Sequence, residues 1–86
     1  KDTALLPASA GPHAIRRAVE GLRLFPLLDG YRGKPRANLD ALVGVAQRFG
    51  QLATQLGERL PECEANPVMV AGDSLVVADA RAVWRV

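Results

Sequence analysis

The sequence predicts an α+β fold, a small and largely antiparallel sheet of about three strands covered by two helices. Two stretches place apolar residues at helical spacing, residues 14–22 and 38–60, and two terminal segments alternate with the period of a strand around a Gly-Asp turn. At 86 residues the chain makes one small domain, residues 1–86, that buries about 60–70% of its unfolded surface and has a thin stability margin.

Thr3 to Leu6 reads as a short strand stopped at Pro7. Ser9 or Gly11 then caps a helix that Pro12 enters in its first turn, where a missing N–H costs nothing. Ile15, Ala18, Val19 and Leu22 form its apolar side, with Arg16, Arg17, Glu20 and Arg23 mostly opposite. Leu24 to Pro35 carries prolines and glycines around Tyr31 and Arg32 and reads as an irregular connector. Asn38 is a good N-cap for a second helix running to about Leu60. Leu39, Leu42, Ala46, Phe49, Ala53, Leu56 and Leu60 make one stripe, as expected of a helix packed across a sheet; Pro61 ends it. Trp84 is expected to cap the edge of the core.

The terminal third carries the chemistry. With the turn centred between Gly72 and Asp73, Val70 faces Leu75, Val68 faces Val77, Asn66 faces Asp79 and Glu64 faces Arg81, all eight on one side of the hairpin. Opposed residues have Cβ atoms about 4.5–5.5 Å apart, so the Asn66 amide oxygen and the Asp79 carboxylate can share one cation, with Glu64 next along the strand. Hard oxygen donors suit Mg²⁺, which keeps waters and is completed by substrate phosphates. The competing reading of the same residues is a Glu64–Arg81 ion pair between strand ends punctuated by Asn66 and Asp79.

Composition narrows the classes. A hydrophobic content of 49% with 23% charged residues is that of an ordinary globular domain. No apolar run approaches the roughly 20 residues of a membrane span, so no membrane partner is expected. The net charge of +2 is spread along the chain, which does not favour nucleic acid. The lone Cys63 makes no internal disulfide and favours a reducing cytoplasm; it falls on the face opposite Glu64 and is expected to pack. One histidine, His13, excludes a zinc site or triad built on several histidines.

The order of pieces resembles a known family. Glu64-Ala65-Asn66-Pro67, an apolar strand, a turn and Val77-Ala78-Asp79-Ala80-Arg81 look like the end of the ATP-grasp domain of nucleoside-diphosphate-forming acyl-CoA synthetases. That family includes succinyl-CoA synthetase β subunits and ADP-forming acetate-CoA ligases. Upstream, Asp2 to Pro7, the helix Ala14 to Leu22, Leu27 to Pro35 with its Gly-Tyr-Arg-Gly, and Asp40 follow the acetate-CoA ligase pattern, so nearly the whole chain is covered. Glu64 departs from it, standing where many acetate-CoA ligases have Asp and the succinyl-CoA synthetase branch has Glu.

The resemblance implies a C-terminal portion of an ATP-grasp domain belonging to a larger protein, an expectation that Lys1 at the start and Met69 as sole methionine also suggest. It further implies ligation of an organic acid to CoA coupled to ATP and ADP interconversion. Asn66 and Asp79 would be the metal ligands, Glu64 the assisting catalytic acid, and Arg81 and Arg32 the phosphate-facing cations. CoA would bind elsewhere in the parent, and the partners would be the remaining ATP-grasp lobe and the CoA-binding domains. The family's phosphate-carrying histidine lies in another segment, so His13 has no catalytic role and the isolated chain is expected to be inactive. The alternative is a non-catalytic interaction or regulatory module from a degenerate ATP-grasp or acyltransferase fusion.

Overall fold

A computed structural model describes residues 2–85. Its elements are α1 (Pro12–Glu20), α2 (Phe25–Leu28), α3 (Leu39–Leu56), β1 (Glu62–Ala65), β2 (Val68–Ala71), β3 (Ser74–Val77) and β4 (Ala80–Val83), with 3₁₀ turns at Tyr31–Gly33 and Gly57–Arg59. The class is α+β, as expected. No helix among the described residues is long and apolar enough to cross a membrane.

α1 begins at Pro12 with Gly11 as its N-cap, and α3 begins after Asn38, whose Oδ1 accepts the Ala41 N–H at 3.0 Å. The two helices pack on each other and bury Ile15 and Val43, the core of the described residues. Asp40, in the first turn of α3, pairs with Arg16 of α1 across that contact. α3 stops at Leu56, short of the expected Leu60, because Gly57 takes a φ of +52° and a 3₁₀ turn follows. The connector holds more order than expected. Pro26 opens the single helical turn α2, and the Leu28 carbonyl accepts the Ala37 N–H at 2.7 Å.

The expected strand Thr3–Leu6 is not formed. A strand needs a ladder partner, and none runs beside it among the described residues; Leu5 is 97% exposed. The segment is fastened instead by Asp2, whose carboxylate accepts the N–H groups of Arg23 at 2.7 Å and Leu24 at 3.1 Å. It then crosses α3 so closely that a Cβ on Gly50 would overlap the Ala8 carbonyl oxygen. Glycine is required there for the approach of the chain.

The strands form two antiparallel ladders, β1 with β4 and β2 with β3. Both share the register expected from the sequence: Glu64 faces Arg81, Val68 faces Val77 and Val70 faces Leu75. Between them the Asn66 N–H donates to the Asp79 carbonyl at 3.0 Å and the Ala78 N–H to the Pro67 carbonyl at 2.9 Å, so the ladders join into one long two-stranded ribbon. The turn closes over Gly72 at a φ of +56°. The Gly72 carbonyl accepts the Asn38 N–H at 3.1 Å, and the Arg85 N–H donates to the Arg59 carbonyl at 2.8 Å, so the ribbon is tied to the start of α3 and to the turn beyond its end.

Two details differ from the expectation. Four short strands form a ribbon where about three strands were expected in one sheet, and the principal helix packing is of α1 on α3. The eight facing residues do not share one environment: Cys63 and Ala65 are half-buried in β1, whereas Val68 and Val70 are half-buried in β2, so the inward side changes parity across Asn66-Pro67. Proline has no N–H to give the ladder and interrupts regular pairing there. Trp84, expected at the core edge, is 52% exposed.

Gly50→Ala is expected to destabilise the fold by about 1–3 kcal/mol through overpacking, although alanine is the better helix former. Gly44, also within α3, has open space where a Cβ would stand, so Gly44→Ala should stabilise by roughly 0.5–1 kcal/mol. Urea melts of the two variants should therefore move in opposite directions. Asn38→Ala should cost about 1 kcal/mol in the same assay, the loss of a helix cap.

Candidate functional site

The centre of the ribbon gathers the sequence-predicted ligands. Asn66 and Asp79 stand opposite each other at the break between the ladders, fixed by the Asn66 N–H bond to the Asp79 carbonyl. Both are exposed and uncovered by the helices. The Asp79 Oδ1 accepts its neighbour's Ala80 N–H at 2.9 Å, which orients the carboxylate and leaves its second oxygen open. The Asn66 side-chain amide makes no hydrogen bond among the described residues.

Glu64 and Arg81 face each other in register, but the ion pair of the competing reading is not formed between them. Arg81 Nη1 meets Glu62 Oε2 at 2.9 Å. Glu62 lies opposite Val83, two positions from Arg81, and diagonal pairs on one face of a ribbon come within reach of a long side chain. Both partners are more than half exposed, so the pair contributes at most about 1 kcal/mol. Glu64 is left without an ion pair among the described residues. The alternation of Glu62 and Glu64 in the sequence was the signal for this diagonal.

Arg32 lies in the connector, within the 3₁₀ turn Tyr31–Gly33. Its loop is anchored where Pro35 approaches Gly72 at the ribbon tip. At about 3.3 Å per residue, the tip is roughly 20 Å along β2 from Asn66. Arg32 is the one non-glycine with positive φ among the described residues, at φ +51° and ψ +41°, between Gly30 at +81° and Gly33 at +76°. The left-handed backbone costs an L-residue about 1–2 kcal/mol. The Arg32 guanidinium lies 5.2 Å from the Tyr31 ring centroid, a cation–π contact that returns about 0.5–1 kcal/mol at an exposed site. Arg36 Nε meets Asp29 Oδ1 at 3.3 Å and braces the loop. A cleft of about 380 Å³ between Leu28, Lys34, Pro35, Val70 and Gly72 separates the connector from the ribbon.

Other residues settle into structural places. His13 lines a shallow cleft with Arg16 and Asp40 between α1 and α3, and Cys63 is a half-buried free thiol. Asp2, which fastens the first segment, was invisible as an anchor because its partners lie 21 and 22 residues away. No group of three His, Cys, Asp or Glu side chains gathers as a metal cage among the described residues. An amide oxygen and a carboxylate fit the alternative, a hard cation bound jointly with phosphate oxygens.

Comparison with known proteins agrees with this architecture. The chain is 29% identical over 83 residues to the β subunit of acetate–CoA ligase [ADP-forming] I of Pyrococcus furiosus, covering 96% of the chain and 35% of that protein. It is 31% identical over 72 residues to the β subunit of the corresponding ligase II, covering 81% of the chain and 30% of the relative. A trans-feruloyl-CoA synthase from an unknown prokaryotic organism is 29% identical over 82 residues, covering 93% of the chain and 12% of that protein. The chain thus spans about a third of the two β subunits' length. The crystal structure of PH1788 from Pyrococcus horikoshii Ot3 has the same fold, with a TM-score of 0.80 and 24% identity over 98% of the chain and 35% of its own. Residues 1–83 match the family model described as the ATP-grasp domain, and the chain belongs to that family.

Proposed function

We propose that this chain is the C-terminal portion of the ATP-grasp domain of an acid–CoA ligase forming a nucleoside diphosphate, and that it supplies the ligands of the magnesium–nucleotide complex. The observation that carries the reading is the opposition of Asn66 and Asp79 at the exposed break of the ribbon. The Asn66 amide oxygen and the open Asp79 oxygen would hold Mg²⁺ together with phosphate oxygens of ATP or ADP. Bound there, the ion would offset charge on the transferring phosphoryl group.

The chain's own part is positioning. Ladder bonds on both sides of the break hold the two ligands on one rigid ribbon, so little reorganisation is needed when charge develops. Glu64, free of an ion pair among the described residues, is the assisting acid. Arg81, steadied by Glu62, is the cation nearest the pair along the ribbon. CoA would bind elsewhere in the parent, and a half-buried unpaired Cys63 suits a cytoplasmic protein.

The exposed apolar side chains Met69, Val76 and Trp84 would be covered by the remaining lobe of the parent. They would equally serve a non-catalytic interaction module, but that alternative leaves the Asn66–Asp79 opposition without a role. In the parent ligase, Asp79→Ala is expected to lower nucleotide-dependent CoA-thioester formation at least about a hundred-fold with the melting temperature unchanged. The isolated chain should show no turnover. Near-normal ligation by Asp79→Ala would remove the residue from the site.

A further inference from the structure

We infer, resting on the reading of Asn66 and Asp79 as metal ligands, that Glu62 is a positioning residue of that site: it draws Arg81 to itself and so leaves the Glu64 carboxylate unpaired beside the two ligands. Glu62 and Glu64 alternate along β1 and share one side of it, with Arg81 directly opposite Glu64 on β4. Asn66 and Asp79 stand at the inner end of that ladder, joined by their backbone hydrogen bond, and all five residues are exposed.

The register offers Arg81 its facing neighbour Glu64, the shorter reach across the ribbon. The guanidinium nonetheless meets Glu62, Nη1 to Oε2 at 2.9 Å, and Glu64 enters no ion pair among the described residues. Glu62 has no other claimant there. Val83, directly opposite it, is apolar, and Arg85, on its other diagonal, lies past the last paired residue and enters no ion pair among the described residues.

This choice of partner sets the charge at the break. Glu62 lies two positions farther from Asn66 than Glu64 does, about 7 Å along the strand. A guanidinium on Glu64 would neutralise the carboxylate beside the ligands and repel a divalent cation. Held by Glu62, it offsets the more distant carboxylate instead, and Glu64 and Asp79 keep their charge for the metal. A guanidinium carries five N–H donors, so the bond through Nη1 leaves others for phosphate oxygens.

NMR of the 86-residue chain tests the inference with Glu62→Gln, which removes the charge and keeps the shape. Both partners of the pair are exposed, so the variant keeps the fold. Without metal, nuclear Overhauser contacts of the Arg81 Hδ protons are expected with Glu62 in the wild type and with Glu64 in the variant. In a titration with Mn²⁺–ADP at constant ionic strength, broadening of the Asn66 side-chain amide should need about three-fold to ten-fold more Mn²⁺–ADP in the variant. In an Arg81→Met background, Glu62→Gln should leave the titration unchanged, because Glu62 acts through the arginine; an effect of Glu62 on the ribbon itself would persist there. Arg81 contacts that do not move in Glu62→Gln, unchanged Mn²⁺–ADP affinity in that variant, or an equal loss in the Arg81→Met background would overturn the inference and leave the metal ligands standing. A wild-type chain that does not broaden at Asn66 would instead overturn the metal reading, and this inference with it.

Discussion

The register of the terminal ribbon is the constraint from which the rest follows. A strand alternates sides at every residue, so a slip of one position between the arms would send Asn66 and Asp79 to different neighbours. Two four-residue ladders with an irregular dipeptide between them could each have chosen their own pairing. They do not, because the bonds from Asn66 to Asp79 and from Ala78 to Pro67 carry one register through the break. The break also frees the side chains at its centre, where Glu64, Asn66, Asp79 and Arg81 remain exposed.

α3 spans the distance between the two backbone ties that hold the ribbon. Eighteen residues of helix extend about 27 Å, close to the length of the ribbon beside it. The hydrogen bonds at Asn38–Gly72 and Arg59–Arg85 fasten the ribbon near both ends of the helix. Elsewhere the packing is sparse: among the described residues Ile15 and Val43 are the buried apolar ones, while Met69 and Val76 lie open on the outer side of β2 and β3. Order in this chain depends on backbone ties and helix caps more than on a deep core, which is why glycine at position 50 and asparagine at position 38 matter.

Much of this was legible from residue pattern alone. The Gly72-Asp73 turn set the pairing, Asn38 and Pro12 marked helix starts, and the E-x-N-P and D-A-R segments pointed to the family that the comparisons support. What could not be read depended on distant or cooperative geometry. Thr3 to Leu6 has the composition of a strand but lacks a neighbour to pair with, and its fastening by Asp2 joins residues far apart in sequence. The change of inward side at Asn66-Pro67 and the diagonal choice of Glu62 by Arg81 appear only once the ribbon is built. The left-handed backbone of Arg32, between two glycines of the same hand, likewise emerges only in the folded loop.

The central claim is that an amide and a carboxylate from opposite arms of the ribbon bind one divalent ion with a nucleotide. Paramagnetic broadening by Mn²⁺–ADP, followed residue by residue in NMR spectra of the chain, tests it most directly. The account predicts selective loss of the Asn66 side-chain amide and Ala80 backbone signals at low Mn²⁺–ADP concentration. Broadening centred on another part of the chain, or spread evenly over its surface, would contradict it.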